Sequence, residues 1–397
     1  MKYAIVIMDG GADEPLAVLG GQSPFEKAKM VNTDWISQNG RLGMVRTVPV
    51  GFAPGSDIAL MSVLGYDPKV YYRGRAPLEA AAQDIAVTEQ DWIFRCNLVT
   101  IADGRMMDYS AGHIESVQAA KLIEDLNEQL GSDEWRFYAG VSYRHLLVNS
   151  SGEDFSVETV PPHDIADEPV AKFLPRGRQS KTLIAIMERA AEILANHEVN
   201  KIRGELGENQ ATNIRLWGQG KRPKLDNFRK KFGVQAAVIT AVDLMRGLGK
   251  LTGMKLIEVE GATGYLDTNY EGKGEAAISA LDDNDLVVVH VEAPDEAGHG
   301  ALVAEKVKTI ERIDTYIVGP LLKFLQTQKQ WRLMVLPDHP TPIRTRAHSD
   351  KPVPFTLAGS GIGNPAGVDF NEDNGRASGL KIERGCDLME YFLQVQG

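Results

Sequence analysis

Apolar residues in this chain gather in short unbroken runs rather than alternating with polar ones. Residues 3–8, 235–242, 255–259, 286–291, 333–336 and 353–358 share this character, and several are rich in Val and Ile. A strand hidden on both faces has no solvent side to keep polar, so such runs predict parallel strands in a sheet covered by helices. Between them the periodicity turns helical, and 244–251, 275–281, 305–328 and 387–394 read as helices. Strand and helix taking turns in this way predict an α/β fold with a largely parallel sheet and helices on both faces.

The rhythm changes between about 76 and 232. One amphipathic helix carries Ala119, Leu122, Ile123, Leu126 and Leu130 on one face, and a second is predicted over 182–197. Strands are predicted at 94–101 and 145–148, and Leu216-Trp217-Gly218-Gln219-Gly220 reads as a loop. The expected organisation is a discontinuous α/β domain, residues 1–75 and 233–397, interrupted by a smaller α/β or α+β domain at 76–232. A length of 397 residues fits more than one core, since single cores rarely exceed about 250 to 300 residues.

Ligand-type residues stand where the strand runs stop. Asp9-Gly10-Gly11 follows the first run, Asp295 and His299 follow the fourth, and Asp338-His339, bracketed by Pro337 and Pro340, follows the fifth, with His348 shortly after. Open α/β sheets place ligands outside the carboxyl ends of their strands. Asp295 and His299 are spaced to share one helix face. His290 lies inside its strand and reads as packed or as a support to a ligand. Taken alone, Asp9 reads as a turn residue, and a lone DxxxH says little. Together, Asp9, Asp295, His299, Asp338, His339 and His348 form the mixed carboxylate and imidazole set that borderline divalent ions accept. Ser56, entering a helix after Pro54-Gly55, suits either an N-cap or a nucleophile favoured by the helix dipole.

Composition narrows the function. A net charge of -11 opposes a nucleic-acid partner, which needs a basic surface. No apolar run approaches the roughly 18 residues that mark a membrane span, and the run before Asp9 is too short for a signal-peptide core. Cys96 and Cys386 offer neither a disulfide framework nor a zinc knuckle, which suits a reducing cytoplasm. The absence of a GxxxxGK[ST] segment excludes an ordinary P-loop kinase. Arg73 and Arg75, just before the insert, and Arg95, His113, Arg144 and His145, scattered through it, are candidates for gripping an anionic substrate, or are surface charges.

Asp9-Gly10, Pro54-Gly55-Ser56-Asp57, Asp295-Glu-Ala-Gly-His299, Asp338-His339 and His348-Ser-Asp-Lys-Pro-Val-Pro-Phe355 together resemble the cofactor-independent phosphoglycerate mutases of the archaeal type, within the alkaline phosphatase superfamily. The likeness runs over nearly the whole chain. It implies an alkaline-phosphatase-like fold and two divalent ions, with Mn(II) expected first and Zn(II), Co(II) or Mg(II) as alternatives. It implies no need for 2,3-bisphosphoglycerate. Asp9, Ser56, Asp338 and His339 would hold one ion, and Asp295, His299 and His348 the other. Ser56 would be the nucleophile, and the insert would grip a small phosphorylated substrate. The implied reaction interconverts 3-phosphoglycerate and 2-phosphoglycerate through phosphoserine.

The chain also departs from that family. Archaeal members tend to carry paired arginines where it has Tyr109-Ser110, and an arginine near where it has His113. Gly140-Val-Ser-Tyr-Arg-His-Leu-Leu147 and Leu336-Pro-Asp-His-Pro-Thr-Pro342 resemble a bacterial branch with a proposed homoserine kinase role. Phosphotransfer to homoserine at the same site is therefore the alternative activity. Hydrolysis and a non-catalytic metal scaffold are the remaining readings. Lys250, Lys255 and Lys273 are candidates for steadying the transferring phosphoryl group.

Overall fold

The computed structural model describes residues Met1–Gln394, so the last residues of the 233–397 segment lie outside it. The chain divides into two compact units, Met1–Tyr72 with Leu225–Gly397, and Arg73–Lys224. The first segment supplies β1 (Lys2–Met8) and β2 (Arg41–Val45). The second unit contains β3 (Trp92–Ala102), β4 (Arg105–Asp108), β5 (Trp135–Tyr138), β6 (Arg144–Asn149), β7 (Val157–Glu158), β8 (Arg176–Gly177) and β9 (Asn213–Lys221). The returning segment adds β10 (Ala236–Ile239), β11 (Lys255–Ile257), β12 (Leu286–Val291), β13 (Trp331–Leu336), β14 (Val353–Gly359) and β15 (Lys381–Ile382).

In the first unit the sheet order is β11-β10-β12-β1-β13-β14-β2-β15. Every pairing is parallel except those of β14, which runs antiparallel to both β13 and β2. Ala4 to Met8 and Leu286 to Val289 have no solvent exposure, as unbroken apolar runs require. Register decides where the chemistry lands. Met8 lies opposite Val291, and Ile7 lies opposite Leu336. Asp9, Glu292 and Asp338 therefore leave three neighbouring parallel strands at one edge of the sheet.

The predicted helix over 305–328 is not uniform. Val303–Ile313 and Gly319–Leu325 are α-helical, and Asp314–Val318 between them forms a π turn. Pro320 has no N–H to give the Tyr316 carbonyl, which favours the wider turn. Gly274 packs against that carbonyl, where a Cβ would sit only 2.1 Å from its oxygen.

Asp34, on the helix Val31–Asn39, accepts the Phe370 N–H at 2.9 Å. Burial, together with Asp369 and Asp314, still pushes its carboxyl up to about 6. The folded state then holds a proton that the unfolded state releases, so stability falls as pH rises from about 4 through 6. Asp34→Asn keeps an acceptor for Phe370 and is expected to raise Tm at pH 7 but not below about pH 4. Thermal melts at the two pH values check this.

The second unit is built on β3, flanked by β6 and β9, with β5 beyond β6 and β4 on the other end of β3. Phe94, Cys96, Leu98, Leu147 and Leu216 pack on one face against the helices Ser116–Leu130 and Ser180–Ala195. Ile93, Leu146 and Val148 pack on the other against Ala76 and Ala80 of the helix Ala76–Ala82. Residues 216–220, read from sequence as a loop, belong to β9. Gly218 has a φ of 59°, and the register shifts between Ile93 and Arg95 where β3 faces it. These glycines mark a β-bulge inside a strand rather than its end.

Candidate metal centre

The site grows from the carboxyl ends of β1, β12 and β13. Asp9 follows β1, and Gly10 then adopts a φ of 61°, which only glycine takes without strain. The Gly10 N–H donates to Asp338 Oδ1 at 3.1 Å, and a Cβ there would lie 2.4 Å from Asp295 Oδ1. This glycine lets the Asp9 turn close on both other acids. After β13, Asp338 Oδ1 also accepts the His339 N–H at 2.8 Å. Those two bonds fix the carboxylate and leave its second oxygen pointing inward.

After β12 the helix Ala293–His299 carries Asp295 and His299, with His299 Nε2 3.2 Å from Asp295 Oδ2. His348 Nε2 stands 3.5 Å from Asp295 Oδ1 and 2.9 Å from His299 Nε2. Two imidazole nitrogens and a carboxylate thus converge on one point. His339 Nε2 lies 3.5 Å from Asp9 Oδ1 and 3.4 Å from Asp338 Oδ2, making a second convergence. In each triad, Asp9, Asp338 and His339 or Asp295, His299 and His348, the ligand atoms lie within 4.8 Å of one another.

Ser56 opens the helix Ser56–Val63, but Gly55 occupies the N-cap position and no side chain caps that end. The N-cap reading of Ser56 therefore does not hold. Its hydroxyl lies 3.1 Å from His339 Nε2 instead, beside the first triad and at the helix end that favours negative charge.

The donor set fits divalent cations on evidence internal to the fold. Asp9 Oδ1 and Asp338 Oδ2 are buried with no hydrogen-bond partner, an expensive arrangement for carboxylates unless a cation sits between them. Burial, then Asp338, Asp295 and Glu292, holds the Asp9 carboxyl well above its ordinary range. Burial keeps the His339 imidazole pKa low, as a ligand nitrogen requires. Burial works upward on Asp295, but hydrogen bonds with His299 and His348 outweigh it and hold that carboxyl well below its usual range. The residues are of the type and number that bind Mn(II), Co(II) or Zn(II).

Supporting contacts surround these candidate ligands. His290 Nε2 meets Asp9 Oδ2 at 2.8 Å, while its Nδ1 meets Thr240 Oγ1 at 3.0 Å. The strand histidine thus orients Asp9, as outer partners of metal ligands do. Thr240 carried no mark in the sequence. Of the three candidate lysines, Lys273 alone is buried near the site, donating to the His290 carbonyl at 3.2 Å. Burial takes its pKa down to about 8. Lys255 pairs with Asp283 at 3.8 Å, away from the ligands.

The insert's candidates divide by sheet face. Arg95, on β3, pairs with Glu79 at 2.9 Å and stacks on Trp217 at 4.2 Å. Arg75 reaches the same Glu79 at 3.3 Å. In register beside Arg95, Asn97 faces Arg144 on β6 and Arg215 on β9. Exposed Arg144 lies over the Tyr143 ring, and His113 stands edge-on to that ring. Arg73 is exposed, and its carbonyl accepts the Lys221 N–H. His145 does not join this group. It pairs in register with Cys96 on the helix-covered face, where its Nδ1 accepts the Gly140 N–H at 3.0 Å. Burial holds it near pKa 3, hence neutral, so it offers no charge to an anion. Trp217, Asn97 and Arg215 carry no mark of a shared face in the sequence, because that face depends on the pairing of β9 with β3.

Comparison with known proteins agrees with this architecture. The model of the family described as 2,3-bisphosphoglycerate-independent phosphoglycerate mutase matches residues 37–200. The 2,3-bisphosphoglycerate-independent phosphoglycerate mutase of Methanosarcina acetivorans is 46% identical over 399 residues, covering 100% of both chains. Among solved structures, a cofactor-independent phosphoglycerate mutase from Thermoplasma acidophilum is similar with a TM-score of 0.67, at 27% identity and covering 100% of each chain. A protein from Pyrococcus horikoshii is similar at a TM-score of 0.83 and 28% identity, covering 99% of this chain and 96% of that one. Identity of this level across the full length decides the assignment: the chain belongs to the family of 2,3-bisphosphoglycerate-independent phosphoglycerate mutases.

Proposed function

We propose that the protein interconverts 3-phosphoglycerate and 2-phosphoglycerate, with Ser56 as the group that carries the phosphoryl between them. The observation that supports this most is the setting of Ser56. Its side chain caps no helix, the residue is only 7% exposed, and its hydroxyl stands 3.1 Å from His339 Nε2, the atom that itself lies 3.5 and 3.4 Å from two buried carboxylate oxygens without hydrogen-bond partners.

Asp9, Ser56, Asp338 and His339 would hold one divalent ion, and Asp295, His299 and His348 the other, with Mn(II) as the expected metal. When bound, such ions lower the pKa of a serine hydroxyl and neutralise phosphate oxygens. Ser56 Oγ then bonds to phosphorus as the bond from phosphorus to the substrate oxygen breaks, and the serine's proton ends on that oxygen. Glycerate turns over, its other hydroxyl attacks the phosphoserine, the Oγ–P bond breaks, and a proton returns to Ser56. Ser56 is nearly buried, a setting that disfavours attack by water on a phosphoryl group held there. Both cysteines are free, and among the described residues no helix is long and apolar enough to cross a membrane, which is compatible with work in the cytoplasm.

The glycerate moiety is assigned to the second unit, at the sheet face bearing Arg95, Asn97, Arg144 and Trp217. Arg144→Met, at an exposed position, is expected to raise KM roughly tenfold, the worth of one charged hydrogen bond, and to leave Tm unchanged. Steady-state kinetics beside a thermal melt measure both.

One feature favours the second reading, phosphotransfer to homoserine. Glu79 already engages Arg75 and Arg95, and Tyr109, Ser110 and His113 stand where arginines are expected, so fewer free guanidinium groups face an anion. One manganese-loaded preparation given phosphoglycerate in one tube, and homoserine with ATP in another, separates the readings. Isomerisation without phosphohomoserine is expected; phosphohomoserine alone would replace the first reading with the second.

A further inference from the structure

Thr341 is fully buried, and its hydroxyl touches a member of each ligand triad. Its Oγ1 bonds to Asp295 Oδ1 and lies 3.3 Å from His339 Nδ1. A hydroxyl has one proton to give, and an ionised carboxylate can only accept. Thr341 therefore donates to Asp295 and accepts from the His339 Nδ1–H. That arrangement leaves His339 Nε2 without a proton, its lone pair facing Asp9, Asp338 and Ser56.

The backbone of Thr341 is equally constrained. Its N–H donates to the Ala12 carbonyl at 3.2 Å. Its carbonyl accepts from Lys306 Nζ at 2.8 Å, and the same ammonium reaches the Ala12 carbonyl at 3.4 Å and Asp13 Oδ2 at 2.9 Å. Lys306 and Asp13 side chains have no solvent exposure. Gly298, between the ligands Asp295 and His299, packs so closely that a Cβ would come within 2.6 Å of the Thr341 oxygen. Thr341 is thereby tied to the turn after β1, to the helix bearing Asp295, and to the turn after β13.

We propose that Thr341 is a positioning residue that sets the ligand geometry of both metal half-sites at once, with Lys306 anchoring it. This rests on the reading that the two triads hold divalent ions. Partners of metal ligands typically account for about 10- to 100-fold in affinity, and here one hydroxyl serves both sites.

The test is a manganese titration of metal-free protein, with free Mn(II) read by its electron paramagnetic resonance signal, for the wild type, Thr341→Val and Thr341→Ser. Valine keeps the shape and removes the hydroxyl. Both dissociation constants are expected to rise about 10- to 100-fold in the valine variant and to return close to wild type with serine. Wild-type constants in the valine variant, or a loss confined to one ion, would overturn the proposal. Failure of serine to restore binding would do the same. If valine prevents folding, judged by circular dichroism, Thr341→Ala carries the same expectation. The titration needs no substrate, so a protein that binds both ions but does not isomerise phosphoglycerate removes the substrate reading and leaves this inference standing. A wild type that binds no divalent ion removes the metal reading and this inference with it.

Discussion

Ser56→Ala is expected to abolish isomerisation, with a loss on the order of 10⁴-fold or more, while two metal ions still bind. The reason is specific to how Ser56 is placed. The hydroxyl makes no helix cap, so alanine costs the helix nothing. Two carboxylates and an imidazole remain to hold the neighbouring ion. What disappears is the atom that accepts the phosphoryl group, and nucleophile removal leaves only the residual benefit of binding and electrostatics. The measurement is isomerisation followed by phosphorus NMR, beside a metal assay of the same sample. A variant keeping a tenth of wild-type activity would show that the phosphoryl group travels by another route.

Stripping the metals is expected to have the second largest effect, on activity and on stability together. Without cations, Asp9 and Asp338 face each other in a buried pocket with unpartnered oxygens. Burial and the neighbouring acids then hold the Asp9 carboxyl well above its ordinary range, so charge at that position is costly to the folded state. Chelation should therefore abolish turnover and lower Tm, and added Mn(II) should reverse both. An ion that binds only the folded chain adds about 4 kcal/mol when present at a thousandfold excess over its Kd. Thermal melts across a manganese series check the point. A Tm indifferent to metal would mean that the acids are satisfied in some other way.

Much of this centre was legible in the sequence because parallel strands put their carboxyl ends on one sheet edge. Runs of Val, Ile and Leu located β1, β12 and β13, and the residues just after each run had to emerge side by side. That is why Asp9, Asp295, His299, Asp338 and His339 read as one group from the sequence. Strand direction left no such trace. The antiparallel course of β14 changes neither its composition nor its burial, and only pairing reveals it. β9 escaped for a different reason, since its glycines are the residues that ordinarily end a strand. Without β9, the face shared by Arg95, Asn97, Trp217 and Arg215 could not be seen. His145 looked like a partner of Arg144 but, as its neighbour in β6, points to the opposite face. Thr341 and Thr240 are harder still. A buried threonine acts through the direction of one O–H bond, which nothing in residue type or spacing records.

During turnover the phosphoryl group is expected to rest on Ser56. Manganese-loaded protein turning over 3-phosphoglycerate can be quenched in acid and its peptides analysed by mass spectrometry. The prediction is one phosphoryl group on the peptide containing Ser56, absent from Ser56→Ala, in a sample that forms 2-phosphoglycerate with no 2,3-bisphosphoglycerate added. Full isomerisation with that peptide unmodified, or with the phosphoryl group on another residue, would contradict it.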